Sequence, residues 1–279
     1  VSRAVKVSGG GNDFLALIEP DRLPTCAEIA AWCARGLSIG ADGLFVLARD
    51  GGRVRMDYWN ADGRPAALCI NGTRCAARLA FDLGWAVEKA TIVTGAGPFP
   101  ARPAGPTGIA LELPPPTSLP RHVVAPLPPR AVEGWFVTIG VPHYVVLWPD
   151  GLADCPVAEL GPRLRRHELF GVAGTNVDFV HFPAPQRMEI RSFERGVEAE
   201  TLACGTGILA AVGVGLQLDL ARLPVTVLTA GGFEMVVDGE TVDSVPRRWT
   251  LAGDARILGT LDLTPEAALP PPPPPLWSP

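Results

Sequence analysis

The sequence predicts an α+β fold built as two similar halves, and three observations point to it. Short apolar or alternating runs recur from end to end, each bounded by Gly, Pro or Asp, as short strands are. Helical signals are few, and two of them open on the same pattern, Cys-x-x-Gly running into an alanine-rich helix. A proline-rich segment, "LPPPTSLPRHVVAPLPPR" (113–130), cuts the chain near its middle.

The strand runs are "RVRMDYW", "IALEL", "WFVTI", "YVVLW", "VDFVHF", "RMEIRSF", "VTVLT" and "FEMVVD". The first helix, "CAEIAAWCARG" (26–36), ends at Gly36, with its cysteines expected in the core. The second, "NGTRCAARLAFDLG" (71–84), places Cys75, Leu79 and Leu83 on one face and Gly84 at its C-cap. The third, "GILAAVGVGLQL" (207–218), is apolar all round, which predicts burial on every side. The segment 113–130 reads as an extended linker. The halves are then 1–118, carrying Cys69, and 119–255, carrying Cys204. Residues 265–279 read as a solvated tail containing the prolines 270–275.

Composition narrows the class. A chain of 279 residues, 47% hydrophobic, supports one large domain or two modest ones with sizeable cores. A formal charge of −5 argues against a nucleic-acid partner. No apolar run is long enough to cross a membrane, and the opening "VSRAVKVSGGGNDF" lacks the apolar stretch of a secretory signal. Six cysteines (26, 33, 69, 75, 155 and 204) are too sparse for a disulfide scaffold and read as reduced, in a cytoplasmic protein.

The chemistry follows from where two of those cysteines stand. "NADGRPAALCINGTRCAA" and "ERGVEAETLACGTGILAA" each run polar loop, cysteine, turn glycine, helix. Duplication and chance both produce a match this short. A helix N-terminus presents unpaired N–H groups and a partial positive charge, which favour a thiolate and also bind a carboxylate. Two such cysteines facing one cleft suit stereoinversion: one thiolate removes a proton from a carbon while the opposite thiol delivers one to the other face. A weak carbon acid then needs preorganised charge stabilisation and exclusion of water. Pyridoxal is the usual electron sink for such a step. Its Schiff-base lysine is hard to supply here, because Lys6 and Lys89 are the only lysines and neither adjoins a phosphate-cradling sequence. No cofactor is expected.

Other motifs read more plainly. Cys75 belongs to an apolar helix face, and the Cys69/Cys75 spacing is not a zinc pattern, so no metal is expected. Cys26, Cys33 and Cys155 read as structural. His143 follows a proline in a turn between strands and reads as structural, with the orienting of a loop near the cleft as the alternative. Asp13 and Asp62 read as turn formers, and Glu200 as a brace for the loop before Cys204. The glycines at 9–11 lack the Lys-Ser/Thr of a phosphate loop.

Taken in order, the motifs resemble the diaminopimelate epimerase family from about Gly9 to Leu263. "GGGNDF" (9–14), "GADGLFVL" (40–47), "WNADGRPAALCINGTRC" (59–75), "GVPHYVV" (140–146), "TNVDFV" (175–180) and "FERGVEAETLACGTG" (193–207) carry the resemblance. It implies two pseudo-symmetric halves, each a curved mixed β-sheet wrapped around a central α-helix, with the active site in the cleft between them. It also implies that a last strand at about 256–264 returns to the first half, and that the protein is a homodimer.

The resemblance implies roles residue by residue. Cys69 and Cys204 would be the acid/base thiols. The backbone N–H groups of Ile70, Asn71, Gly205 and Thr206 would hold the carboxylate at the reacting carbon. Asn12 would contact substrate, Asn60, Asn176 and Arg195 would grip the far amino-acid end, and Glu194 would lie beside the amino groups. Three positions depart from the pattern: Gly43 stands where the family carries Gln, Ile70 where it carries Gly, and Val141 where it carries Asn. Losing two amide contacts bears on substrate preference, since a site built to pair polar groups discriminates through them. The expected function is cofactor-independent epimerisation of LL-2,6-diaminopimelate to the meso form. The alternatives are a racemase or epimerase of a different amino acid on the same scaffold, and a non-catalytic amino-acid-binding homologue.

Overall fold

A computed structural model describes residues 2–242 and 245–269, and the proline run from 270 lies outside the described residues. The chain divides into two units, one of 1–109 and 255–279, the other of 110–254.

The first unit opens with β1 (Ser2–Gly9), β2 (Asn12–Ile18), α1 (Cys26–Cys33), β3 (Gly43–Asp50), β4 (Arg53–Asn60) and β5 (Pro65–Ala66). It continues with α2 (Ile70–Asp82), β6 (Ala90–Thr94) and β7 (Gly97–Pro103), and β8 (Gly108–Leu113) spans the division. The second unit contains β9 (Arg121–Leu127), β10 (Arg130–Ile139), β11 (Val141–Leu147), α3 (Val157–Arg165), β12 (Asn176–Ala184) and β13 (Arg187–Glu194). It ends with β14 (Ala199–Thr201), α4 (Gly205–Gln217), β15 (Val225–Thr229), β16 (Glu234–Val242) and β17 (Val245–Asp254). β18 (Arg256–Leu263) then rejoins the first unit as the antiparallel partner of β1.

The two units repeat one topology. In the first, β1–β2 is antiparallel, β2–β3 parallel, β3–β4 and β4–β5 antiparallel, β4–β6 parallel and β6–β7 antiparallel. In the second, β10–β11, β11–β12, β12–β13, β13–β14, β13–β15 and β15–β16 follow the same sequence of senses. The Cys-x-x-Gly match is therefore one local trace of a repeat that runs through every element. Positions correspond strand by strand: Asn12 with Val141, Gly43 with Asn176, Asn60 with Glu194, and Cys69 with Cys204.

Each mixed sheet wraps a helix. α2 contacts β1, β2, β4, β6, β7 and β18, and α4 contacts β10, β11, β12, β13 and β17. α4 buries Gly207 through Leu216 without interruption, as its all-round apolar sequence requires. Each Leu, Ile or Val so enclosed contributes about 1.5–3 kcal/mol. Leu83 caps α2, with Gly84 following at φ 69°, the left-handed conformation that glycine adopts freely. Leu83 itself is 41% exposed and does not join the core face with Leu79, because the helix closes before it.

Several expectations are corrected. The segment 113–130 is not a free linker, since 121–127 form β9 and pair with β10 in register from Arg130–Leu127 to Phe136–Arg121. The unit division falls inside β8 rather than at 118/119. Residues 265–268 form a short 3-10 turn whose Ala267 and Ala268 pack on the first unit's core, with Ser38 Oγ donating to the Ala267 carbonyl at 2.8 Å. Cys26 is exposed, because it opens α1 just behind the capping residue Thr25, whereas Cys33 is buried.

Candidate functional site

In the first unit the site grows from the start of α2. Cys69 is the N-cap: its backbone is extended (φ −138°) and its Sγ accepts from the Gly72 N–H at 3.5 Å. Ile70 and Asn71 supply the first helical N–H groups, and the Ile70 side chain is buried. Asn71 Nδ2 donates to Asn12 Oδ1 at 2.7 Å, while Asn12 Nδ2 donates to Asp42 Oδ2 at 3.0 Å. The fully buried Arg74 donates to Asn71 Oδ1 at 2.7 Å. Both amides are thus held in one orientation from both ends.

Asn60 ends β4 opposite Gly43 and is exposed. Its Oδ1 accepts from the Tyr58 hydroxyl at 3.2 Å. Asp13 is not a turn former: it sits in β2, bridged to Lys6 at 2.6 Å and to Arg35. Asp62 does form its turn, accepting from the Arg64 N–H at 2.9 Å.

In the second unit Cys204 is the N-cap of α4, with Gly205 and Thr206 in the first turn. Its Sγ lies 3.5 Å from Thr206 Oγ1. Glu194 accepts from Thr201 Oγ1. Asn176 Oδ1 accepts from the Arg195 N–H at 2.8 Å, so Asn176 fixes the backbone that carries Arg195. Asn176 Nδ2 lies 3.5 Å from Nε2 of His143, whose Nδ1 is 2.7 Å from Asp178 Oδ2. Ser192 Oγ donates to Asp178 Oδ1 at 2.6 Å. Glu200 is bound side-on by Arg191, at 2.7 and 2.8 Å.

The electrostatics of Cys204 reverse one expectation. The helix start by itself favours a thiolate. Burial, followed by the carboxylates of Glu194 and Asp178, instead raises the Cys204 pKa well above the ordinary thiol value, against the lowering contacts of Thr206 and the Gly207 N–H. Desolvation also raises Glu194, ahead of the Asp178 charge and against the Thr201 hydrogen bond. Cys204 is accordingly a thiol at neutral pH.

Sequence reasoning missed Tyr58, Asp42, Asp178 and Ser192. Tyr58 shares the buried phase of β4 with Val54 and Met56, a signal readable from the alternation. Asp178 lies in a strand buried on both faces, where an acidic side chain must find partners. His143 lies within β11 rather than between strands, buried and joined to Asp178.

Among the described residues no cluster of metal-ligating side chains occurs and no helix is long and apolar enough to cross a membrane. Residues 4–102 and 135–246 match the family model described as diaminopimelate epimerase. The chain is 38% identical over 271 residues to the diaminopimelate epimerase of Gemmatimonas aurantiaca, covering 91% of this chain and 96% of that protein. It is 34% identical over 248 residues to that of Aquifex aeolicus, covering 84% and 88%. Among solved structures it resembles a putative phenazine biosynthesis PhzC/PhzF protein from Clostridium difficile (TM-score 0.70, 13% identity, covering 95% of this chain and 100% of that one). It also resembles a hydroxyproline epimerase from Agrobacterium vitis (TM-score 0.65, 15% identity, covering 93% and 90%). At such identities these two likenesses describe the fold.

A duplicated α+β fold with a cysteine capping the central helix of each repeat, in a chain so related, defines an isomerase of the epimerase and racemase class acting on an amino-acid-like substrate. The chain belongs to the diaminopimelate epimerase family.

Proposed function

We propose that the protein interconverts LL-2,6-diaminopimelate and the meso isomer without a cofactor, in the formation of lysine and cell-wall precursors. The observation that carries the reading is the recurrence of cysteine at one topological point, the N-cap of the enclosed helix, in both repeats. The names of the relatives supply the substrate. Cys204, held as a thiol, is the acid, and Cys69 is the base that removes the α-proton. The reverse turnover exchanges these roles. The N–H groups of Ile70, Asn71, Gly205 and Thr206 bind the carboxylate of the reacting centre and stabilise the charge that develops on it. Asn12, locked by Asn71 and Asp42, presents its remaining N–H to substrate. Asn60 and Arg195 hold the far end, Asn176 keeps Arg195 in place, and Glu194 faces the amino group. A homodimer in the cytoplasm belongs to the same reading.

The test is turnover in heavy water. LL-2,6-diaminopimelate should acquire deuterium at its α-carbon as the meso form accumulates, and Cys69→Ala and Cys204→Ala should each slow both by at least about a hundredfold. Sustained exchange in either variant would rule out the thiol pair.

A second reading is favoured by one local observation. Gly43 and Val141 lack the side-chain amides expected there, and a Cβ at Gly43 would stand 2.8 Å from the Tyr58 hydroxyl. A site so altered suits a different amino acid, and a panel of amino acids assayed for inversion decides the matter. Binding without exchange across the whole panel would instead identify a non-catalytic homologue.

A further inference from the structure

Arg74, Asn71, Asn12 and Asp42 form a hydrogen-bonded row in the first unit that the second unit does not repeat. Fully buried Arg74 donates to Asn71 Oδ1 at 2.7 Å, Asn71 Nδ2 to Asn12 Oδ1 at 2.7 Å, and Asn12 Nδ2 to Asp42 Oδ2 at 3.0 Å. Counted from the matching helix and strand starts, the second unit carries Leu209, Thr206, Val141 and Thr175 at these positions, none of them charged. The repeated topology therefore forms without a buried cation there. Replacing a buried charge by an apolar side chain of similar volume is often neutral or stabilising, so packing alone gives no reason for Arg74. Its partners do.

The two ends of the row differ in kind. A guanidinium only donates and a carboxylate only accepts, whereas an amide between them can be turned either way. With Arg74 donating, the Asn71 carbonyl must face it and the Asn71 N–H groups must face Asn12. With Asp42 accepting, the Asn12 N–H groups must face it and the Asn12 carbonyl must face Asn71. Every donor in the row thus points from the cation toward the anion, and each end alone suffices to impose that direction. Asp42 is itself held, its Oδ1 accepting from Arg35 at 2.8 Å and its Oδ2 also from the Asp13 N–H at 3.1 Å. Asn71 is buried and Asn12 half-buried, so the row runs from the core outward to Asn12.

We propose that Arg74 is a positioning residue for Asn12, acting through Asn71. With Asp42 at the far end it fixes the direction of both amides and leaves the second Asn12 N–H for an oxygen acceptor on the substrate, a carboxylate. No proton is transferred and no bond to carbon changes. A donor set in advance binds an anion without the cost of turning amides over as it arrives. Reversal of Asn12 would set its carbonyl against the Asp42 carboxylate, acceptor against acceptor, and reversal of Asn71 would set its N–H groups against the guanidinium, donor against donor. The meaning for substrate rests on the proposed role of Asn12, but the direction of the row does not.

The experiment compares Arg74→Met, Asp42→Ala and the double variant of the full chain. For LL-2,6-diaminopimelate each single variant should raise KM by less than about threefold, because the remaining end still sets the direction. The double variant should raise KM by at least about twentyfold, with kcat within about threefold of native. A double-variant KM equal to the product of the single effects overturns the proposal. A second readout needs only the single variants. Asn12, Asn60, Asn71 and Asn176 are the only asparagines, so asparagine labelled with heavy nitrogen resolves each side-chain amide by NMR. Arg74→Met should speed hydrogen exchange at Asn12, one residue beyond its own partner, by at least about threefold. Asp42→Ala should do the same at Asn71, with Asn176 of the second unit unchanged. Effects confined to the adjoining amide overturn the proposal equally. If the native protein leaves LL-2,6-diaminopimelate unchanged, the proposed reaction fails, and the exchange rates still decide the row.

Discussion

Glu194 and Cys204 act on each other electrostatically, and burial raises the proton affinity of both groups together. Each carboxylate or thiolate charge here is poorly solvated and repels the other, so the resting pair keeps its protons longer than either would in water.

Glu194→Gln should separate these effects. Its folded-state pKa lies above the ordinary 4.5, so the stability this carboxyl contributes is present below that value and lost as pH rises through the folded value. Glutamine does not titrate. The variant should therefore gain stability over the native protein as pH is raised from 4 to 8, by about 1 kcal/mol at the upper end. Urea unfolding at the two pH values checks this. Iodoacetamide labelling of Cys204 at pH 8 should rise in the same variant, because one nearby negative charge is gone.

Two glycines of α4 should respond in opposite directions to alanine. A Cβ at Gly207 would stand 2.3 Å from Asp178 Oδ1, a carboxylate held by His143 and Ser192. The helix-propensity gain of about 1 kcal/mol is outweighed by an overpacking cost of about 1–3 kcal/mol, so Gly207→Ala should destabilise. A Cβ at Gly213 meets only Trp249 Cη2, at an ordinary 3.8 Å. Gly213→Ala should stabilise by about 0.5–1 kcal/mol, and chemical denaturation of the pair decides both signs.

The start of α1 carries a reciprocal cap. Thr25 Oγ1 accepts from the Glu28 N–H at 3.2 Å, and Glu28 Oε2 accepts from the Thr25 N–H at 2.8 Å. Thr25→Ala should cost about 1 kcal/mol at pH 7. The Arg22 guanidinium, then the Thr25 N–H, lower Glu28 to about 2. A depressed folded value means stability that is present above 4.5 and lost as pH falls through about 2. The stability difference between the native protein and Glu28→Gln should accordingly shrink across that window in acid unfolding.

Three of the cysteines away from the candidate site, Cys26, Cys33 and Cys155, should label at well-separated rates. Burial pushes Cys33 up to about 12 and Cys155 up to about 11, whereas Cys26 is exposed. At pH 8 Cys26 should be alkylated at least tenfold faster than the other two, measured peptide by peptide. Comparable rates would show that the surrounding core opens on the labelling timescale.

What could be read from the sequence divides along physical lines. The helix starts behind Cys69 and Cys204 were legible, because a turn glycine and an alanine-rich apolar run are local signals. The enclosure of α4 followed from composition alone. α3 was not seen: it is short, contains Gly161 and Pro162, and has Pro156 at its N-cap with no side-chain capping bond, so local propensity speaks against it and packing decides. β9 was hidden inside a proline-rich stretch because pairing with β10 outweighs composition. Tyr58 against Gly43 could not be read, since it depends on the register of β3 with β4. The triad of His143, Asp178 and Ser192 likewise joins three strands and leaves no mark at any single position.

The return of β18 to β1 sets an order on biosynthesis. All of 110–254 leaves the ribosome before the strand that completes the unit begun at the N-terminus. Until then one flank of β1 offers unpaired N–H and carbonyl groups to any neighbouring nascent chain. Trimming that removes residues 256–263 would leave that flank permanently bare, and the damage would surface as aggregation of the N-terminal part although the cut lies at the opposite end of the polypeptide.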